Sequence, residues 1–357
     1  QCGMKYLRQI ITALIFIAFM YSLAPCQDYK DITRDYRLNF PDDFYYKKEY
    51  RFQWWYFTGH LFDETGREFG YELTFFVVGV QKKHYKSRFG LRNIYISHVA
   101  ISDVAEKSFL FSDKSDSGAF DFAGAREDLL NVWVGKNSLE GTIDKMHLRA
   151  SEDDKELDLI LIPTKPVVLH GENGYTRKSE DSPLIGSYYF SYTNMKTEGN
   201  LRIRNKIFKV KGESWFDREI SSKGLGQNQI VWDWFAINLD DNREIMLYLL
   251  RNRDGSIDKN SSGTLISGDG TYRHLSKEDF SVTVLSSYKS QKTGTRYPSR
   301  WEIKIPSEKM HLTIVPLIED QELVTTYSTF NNYWEGTCAV EGTLRGRAYV
   351  EMTGYTK

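Results

Sequence analysis

The segment Gly212-Glu213-Ser214-Trp215-Phe216-Asp217-Arg218-Glu219 concentrates acids among large rings. A carboxyl set beside Trp215 and Phe216 is partly stripped of water. That raises its pKa and suits Asp217 to donate a proton, with Arg218 and Glu219 placed to orient the acid and a water molecule. The same three charges would equally serve as an ion-pair network bracing a domain junction, since such networks also perturb pKa values. A second run, Trp54-Trp55-Tyr56-Phe57, reads as a strand on which Trp54 and Tyr56 share one face and Trp55 takes the other. At least one of these rings must enter a core or barrel interior. Together with Tyr189 and Tyr192 from the run Tyr188-Tyr189-Phe190-Ser191-Tyr192, and with Trp215, Trp232 and Trp234, they are candidates to line a site for a long apolar ligand.

Other signatures of catalysis are missing. The sequence contains no GxSxG elbow, HExxH, phosphate-binding loop or complete GxGxxG, and Ser286-Ser287-Tyr288-Lys289 matches SxxK without its companion motifs. His60, His84, His98, His147, His170, His274 and His311 lack ligand spacing, so no metal is expected. Cys338 alone falls in the body of the chain, which leaves no disulfide framework and reads as a small buried apolar residue.

The elements that must position these residues are strands. Alternation recurs at Phe69-Tyr71-Leu73-Phe75, Leu157-Leu159-Leu161, Ile245-Leu247-Leu249 and Trp301-Ile303-Ile305, with turn signals between such runs and no sustained helical period. The aromatic content of 15% suits strands as well. Trp54-Trp55-Tyr56-Phe57 followed by Leu61, Asp63, Arg67-Glu68 and Leu73 superposes on Trp232-Asp233-Trp234-Phe235 followed by Leu239, Asp241, Arg243-Glu244 and Leu249. Each copy reads as a hairpin. The sequence therefore predicts an all-β protein of two tandem lipocalin-like antiparallel β-barrel domains, over residues 40–218 and 219–357.

Net charge is -1, with 47 basic against 48 acidic residues, which argues against a nucleic-acid partner. A mean hydropathy of -0.49 excludes a polytopic membrane protein. Residues 1–26 have the layout of a signal peptide: Lys5 and Arg8, then an apolar run from Ile10 to Leu23 that is too short to span a bilayer, then Ala24-Pro25-Cys26. Residues 27–39 would form a linker. Two processings are open, cleavage after Cys26 to release a periplasmic or secreted protein, or acylation of Cys26 as a lipid anchor.

Gln53-Trp54-Trp55-Tyr56-Phe57-Thr58-Gly59-His60-Leu61, the Gly212 to Glu219 segment, Trp232-Asp233-Trp234-Phe235 and Tyr333-Trp334-Glu335-Gly336 with Thr353-Gly354-Tyr355 resemble the AttH/CrtC family, over about Phe40 to Tyr355. That family holds predicted secreted hydrolases and the carotenoid 1,2-hydratases. The resemblance implies paired lipocalin-like domains and a proton donor at Asp217, with no redox cofactor. It also implies an assisting His near Phe190, where this chain has none, and a Glu where it has Gln53.

In a hydration, Asp217 would protonate an alkene, Trp54, Trp215, Tyr189 and Tyr192 would stabilise the carbocation, and water would add. Three functions are compatible with the sequence: an exported hydrolase or hydratase acting on a lipophilic, isoprenoid-like substrate; a non-catalytic periplasmic carrier of an apolar ligand; and, as the resemblance to AttH implies, an accessory protein of an ABC transporter.

Overall fold

The computed structural model describes residues 29–80, 91–152, 154–329 and 331–355. The predicted signal peptide and Cys26 lie outside the described residues. Helical structure among the described residues is confined to four short 3-10 turns.

The first sheet uses β1 (Phe52–Asp63), β2 (Glu68–Gly79), β3 (Asn93–Asp103), β4 (Ser108–Asp116), β5 (Ala123–Ala125), β6 (Leu130–Val134), β7 (Asn137–Thr142), β8 (Lys145–Glu152), β9 (Lys155–Pro163), β10 (Val168–Leu169), β11 (Tyr175–Arg177), β12 (Gly186–Ile203) and β13 (Lys206–Ser221). The second uses β14 (Gln229–Leu239), β15 (Glu244–Asn252), β16 (Ser262–Ile266), β17 (Tyr272–Leu275), β18 (Ser281–Lys289), β19 (Arg296–Ile305), β20 (Met310–Pro316), β21 (Glu322–Leu323), β22 (Tyr333–Gly342) and β23 (Gly346–Thr353). All strand pairs are antiparallel.

The first sheet runs in the order β4-β3-β2-β1-β13-β12-β9-β8-β7-β6-β5 and curls until β6 touches β2, β3 and β4. It is a nearly closed barrel, and the second sheet is a half-barrel ordered β17-β16-β15-β14-β23-β22-β20-β19-β18. The internal repeat is visible in this topology. β1 lies between β2 and the last strand of its sheet, β13, as β14 lies between β15 and the last strand of its own, β23. The chain passes from one sheet to the other between Ser221 and Gln229, a few residues after Glu219.

Each sheet closes over its own apolar core, one built from residues such as Trp55, Phe57, Leu73, Leu159 and Phe216, the other from Phe235, Leu247, Trp301 and Val350. The first barrel's interior is thus filled by side chains of its own strands. A third layer forms where the outer faces of the sheets meet, with β1 touching β23, β2 touching β22 and β12 touching β14. Because β1 is covered on both faces, nearly all of it is buried, and its sequence shows no polar alternation. Gly70 is required by this close approach, since a Cβ there would stand 2.7 Å from Cβ of Thr337 on the opposing sheet.

Candidate active site

The seam between the sheets collects the side chains at alternate positions of the central strands. Tyr56 from β1, Tyr189 from β12 and Trp215 from β13 pack against Trp234, Met246, Tyr248 and Tyr349 from the second sheet, with Trp54, Trp232 and Leu225 half-buried at the margin. Trp234 meets Trp215 edge-to-face at a centroid separation of 6.0 Å and Tyr56 at 5.2 Å. Such pairs hold ring positions beyond what burial of area alone would do.

Asp217 lies within this layer. Its Oδ1 accepts from Trp215 Nε1 at 2.7 Å and from the Ser191 hydroxyl, and its Oδ2 accepts from the Tyr189 hydroxyl at 2.8 Å. Trp234 Nε1 donates in turn to the Tyr189 oxygen at 3.0 Å. Burial pushes the Asp217 carboxyl up to about 7, with Glu219 adding to the shift and the three hydrogen bonds opposing it. A carboxyl poised there is populated in both protonation states near neutral pH. With Oδ1 already accepting two hydrogen bonds, the proton belongs on Oδ2, toward the rings.

A histidine, His170, reaches this group of side chains. Pairing of Val168 with Ser191 and Leu169 with Phe190 lays β10 alongside β12, and the His170 backbone N–H continues this pairing to Tyr189 O. The imidazole then stacks tilted on Tyr189 at 4.2 Å, with Nε2 2.7 Å from Ser191 Oγ and Nδ1 2.8 Å from Thr264 Oγ1 on β16. Since the Ser191 proton is given to Asp217, Nε2 must be the protonated nitrogen and Nδ1 must accept from Thr264. Burial lowers the His170 pKa to about 3, so the ring is neutral. Four groups from both sheets thus form one chain of hydrogen bonds directed at Asp217.

The period of two separates the remaining candidates. Trp54, Tyr56, Tyr189, Trp215, Trp232 and Trp234 reach the seam, with Trp232 Nε1 donating to Glu351 at 3.0 Å. Trp55 and Tyr192 do not: both point into the first barrel, where Trp55 Nε1 donates to Phe44 O at 2.7 Å and Tyr192 packs on Phe44 and Phe216. Arg218 is also on that inner face. Its guanidinium lies 3.9 Å from the Trp55 ring centre and donates to Tyr45 O and Gln53 Oε1, each at 2.8 Å. It therefore orients neither Asp217 nor a water there, and it bonds no carboxylate of Asp217 or Glu219. Glu219 does share the Asp217 face and is bonded by Lys178, whose ammonium also lies 5.7 Å from the Trp54 ring centre.

Sequence reasoning missed His170, Ser191 and Thr264. No local motif marks them, because their association depends on pairing between distant segments; Val167-Val168-Leu169-His170 signals only a short apolar strand. Two shallow surface clefts, one along Asp113–Asp116 with Phe122 and Tyr327 and one at Lys136, Glu152, Glu156 and Arg202, share no residue with this site.

The chain is similar to a Nitrosomonas europaea protein assigned to AttH, at 30% identity and a TM-score of 0.84, covering 92% of this chain and 100% of that one. Kievitone hydratase from Nectria haematococca shares the fold at 16% identity and a TM-score of 0.70, covering 92% of this chain and 97% of that one. No functionally curated protein matches the sequence significantly. The AttH-like family model matches residues 31–355. With that match across the paired β-domains and the seam they enclose, the chain belongs to the AttH-like family.

Proposed function

We propose that this protein is an enzyme of the hydratase or hydrolase type that acts on a lipophilic, isoprenoid-like substrate by acid catalysis from Asp217. The observation that carries this reading is a carboxyl buried among rings, raised to about 7 and fixed by three donors. A general acid works best when its pKa lies near the operating pH. Asp217 Oδ2 delivers its proton to the substrate alkene. The electron-rich faces of Trp54, Trp215 and Trp234 then offset the positive charge that develops. Water adds to the cation, and the proton it releases returns to the Asp217 carboxylate, which closes the cycle. His170 and Ser191 hold the acid in place, and Glu219 raises its pKa from the same face. The N-terminal 26 residues support export of this activity.

The test is incubation of the protein with a panel of isoprenoid alkenes in 18O-labelled water. Label should enter the product with the wild-type protein and fall by about a hundredfold or more with Asp217→Asn, the usual range for loss of a general acid. Undiminished incorporation by the variant would overturn the role.

A further inference from the structure

Beyond the rings around Asp217 the seam turns polar. β1–β2 pairing sets Tyr56 opposite Thr74 and Thr58 opposite Glu72, and β22–β23 pairing sets Glu335 opposite Glu351 and Thr337 opposite Tyr349. Directly opposed residues share a face, and β2 touches β22 here, so these side chains meet across the two sheets. The Tyr56 hydroxyl donates to Glu335 Oε1. Glu335 Oε2, both Glu72 carboxyl oxygens, Thr74 Oγ1 and the Tyr349 hydroxyl are buried without a hydrogen bond of normal geometry, although Thr74 stands close enough to Glu72, and Tyr333 to Glu335, to favour the ionised carboxylates. Twelve such side-chain atoms occur among the described residues, and five of them fall in this one place. An unpartnered buried polar group costs about 1–3 kcal/mol, so a fold tolerates a cluster of them where something else pairs with them. The charge of Asp217 is felt at Glu351, the register partner of Glu335, so the polar region adjoins the acid.

We propose that Glu72, Thr74, Glu335 and Tyr349 form a hydrogen-bonding subsite for the hydroxyl group of an alcohol or phenol substrate whose apolar part lies along the rings around Asp217. The inference rests on the seam being the substrate site, as in the function proposed above, and it specifies the substrate as amphipathic rather than a bare hydrocarbon. Burial, with the charge of Glu351 adding at both and that of Glu72 adding at Glu335, holds the Glu72 and Glu335 carboxyls well above the usual carboxylate range and so favours their neutral forms. Neutral carboxyls, a threonine and a tyrosine all donate and accept, which matches a hydroxyl, itself donor and acceptor. Among the described residues the neighbouring cations are engaged elsewhere, Lys178, whose charge reaches Glu351, with Glu219 and Arg347 with Glu68, which disfavours a ligand carboxylate. An ammonium would first have to ionise the buried acids.

Binding of three probes with one skeleton tests this: farnesol, the hydrocarbon farnesene and farnesylamine, titrated by tryptophan fluorescence and calorimetry against Asp217→Asn. That background separates the subsite from the chemistry, since failure of Asp217 as the acid leaves probe binding intact. Farnesol should bind about tenfold more tightly than farnesene, the value of about one well-made hydrogen bond in a buried site. The preference should vanish in Glu72→Leu and in Thr74→Val, two substitutions that remove buried polar groups lacking a hydrogen bond of normal geometry, with an unchanged far-UV circular dichroism spectrum showing that the fold is kept. Equal binding of farnesol and farnesene, absence of binding by farnesol, a preference surviving both substitutions, or tightest binding of farnesylamine would each overturn the proposal.

Discussion

The imidazole Nε2 of His170 lies 2.7 Å from the Ser191 hydroxyl, and that hydroxyl donates to Asp217. Ser191 stands next to Phe190, the position near which the family resemblance places a histidine. The imidazole beside Ser191 therefore arrives from the residue that follows the neighbouring strand β10, and its other nitrogen is held from the second sheet by Thr264. Neither β-domain alone assembles the acid and its supports.

The first prediction concerns Asp217 itself. Its protonated carboxyl should give an infrared carbonyl band, absent in Asp217→Asn, that titrates with a midpoint of about 7. Because the acid works only when protonated, turnover should fall as pH rises through that midpoint. A midpoint near 4 would contradict the assignment.

The tautomer of His170 is the second. Long-range 1H–15N NMR should find the ring neutral, with the proton on Nε2, throughout pH 5 to 8, as burial has lowered its pKa to about 3. Thr264→Val removes the donor to Nδ1 and should cost about 1 kcal/mol in urea unfolding while mixing the tautomers. A His170 that titrates near 6.5 would refute the chain as drawn.

Stability against pH is the third. Burial lowers His60, His98 and His170 to about 3, so the unfolded chain binds the extra protons between about pH 3 and 6.5, and these groups make stability rise with pH there. Burial raises Asp217 and Glu351 to about 7 and lifts Glu72 and Glu335 well above the carboxylate range. For these four the folded chain binds the extra protons above about pH 4, and stability falls as pH rises. Three histidines offset three of the four carboxyls at about pH 5, and the histidine contribution fades through about pH 6.5. Thermal unfolding should show a midpoint that falls gently from pH 5 and more steeply above about pH 6. Glu72→Gln should reduce that decline.

The fourth separates fold from chemistry at adjacent positions. Arg218→Met takes the guanidinium donor from Tyr45 O, leaves Gln53 Oε1 with the Lys47 N–H, and removes the guanidinium from the Trp55 ring, which should cost about 2 kcal/mol in urea unfolding. The Asp217 carbonyl midpoint should stay within about half a pH unit of its wild-type value, because the two side chains leave β13 on opposite faces. A large shift would show that Arg218 acts on the acid after all.

The all-β class, the duplicated hairpin and the split of Trp54 and Tyr56 from Trp55 were legible in the sequence, because the side-chain period of a strand is two and is written locally. Asp217 was legible for a similar reason, as an acid among rings on one strand. The same period also places Arg218 and Glu219 on opposite faces, but which face is barrel core and which is seam depends on how the two sheets pack. Tertiary structure alone decided that Asp217 and its rings lie between the two sheets, while the first barrel fills its interior with its own side chains. It alone joined Thr264, His170, Ser191 and Asp217, and set Glu72 against Glu335. Those partners are brought together by strand pairing and sheet packing between segments far apart in the chain, and no local spacing of residue types encodes a distance across a seam.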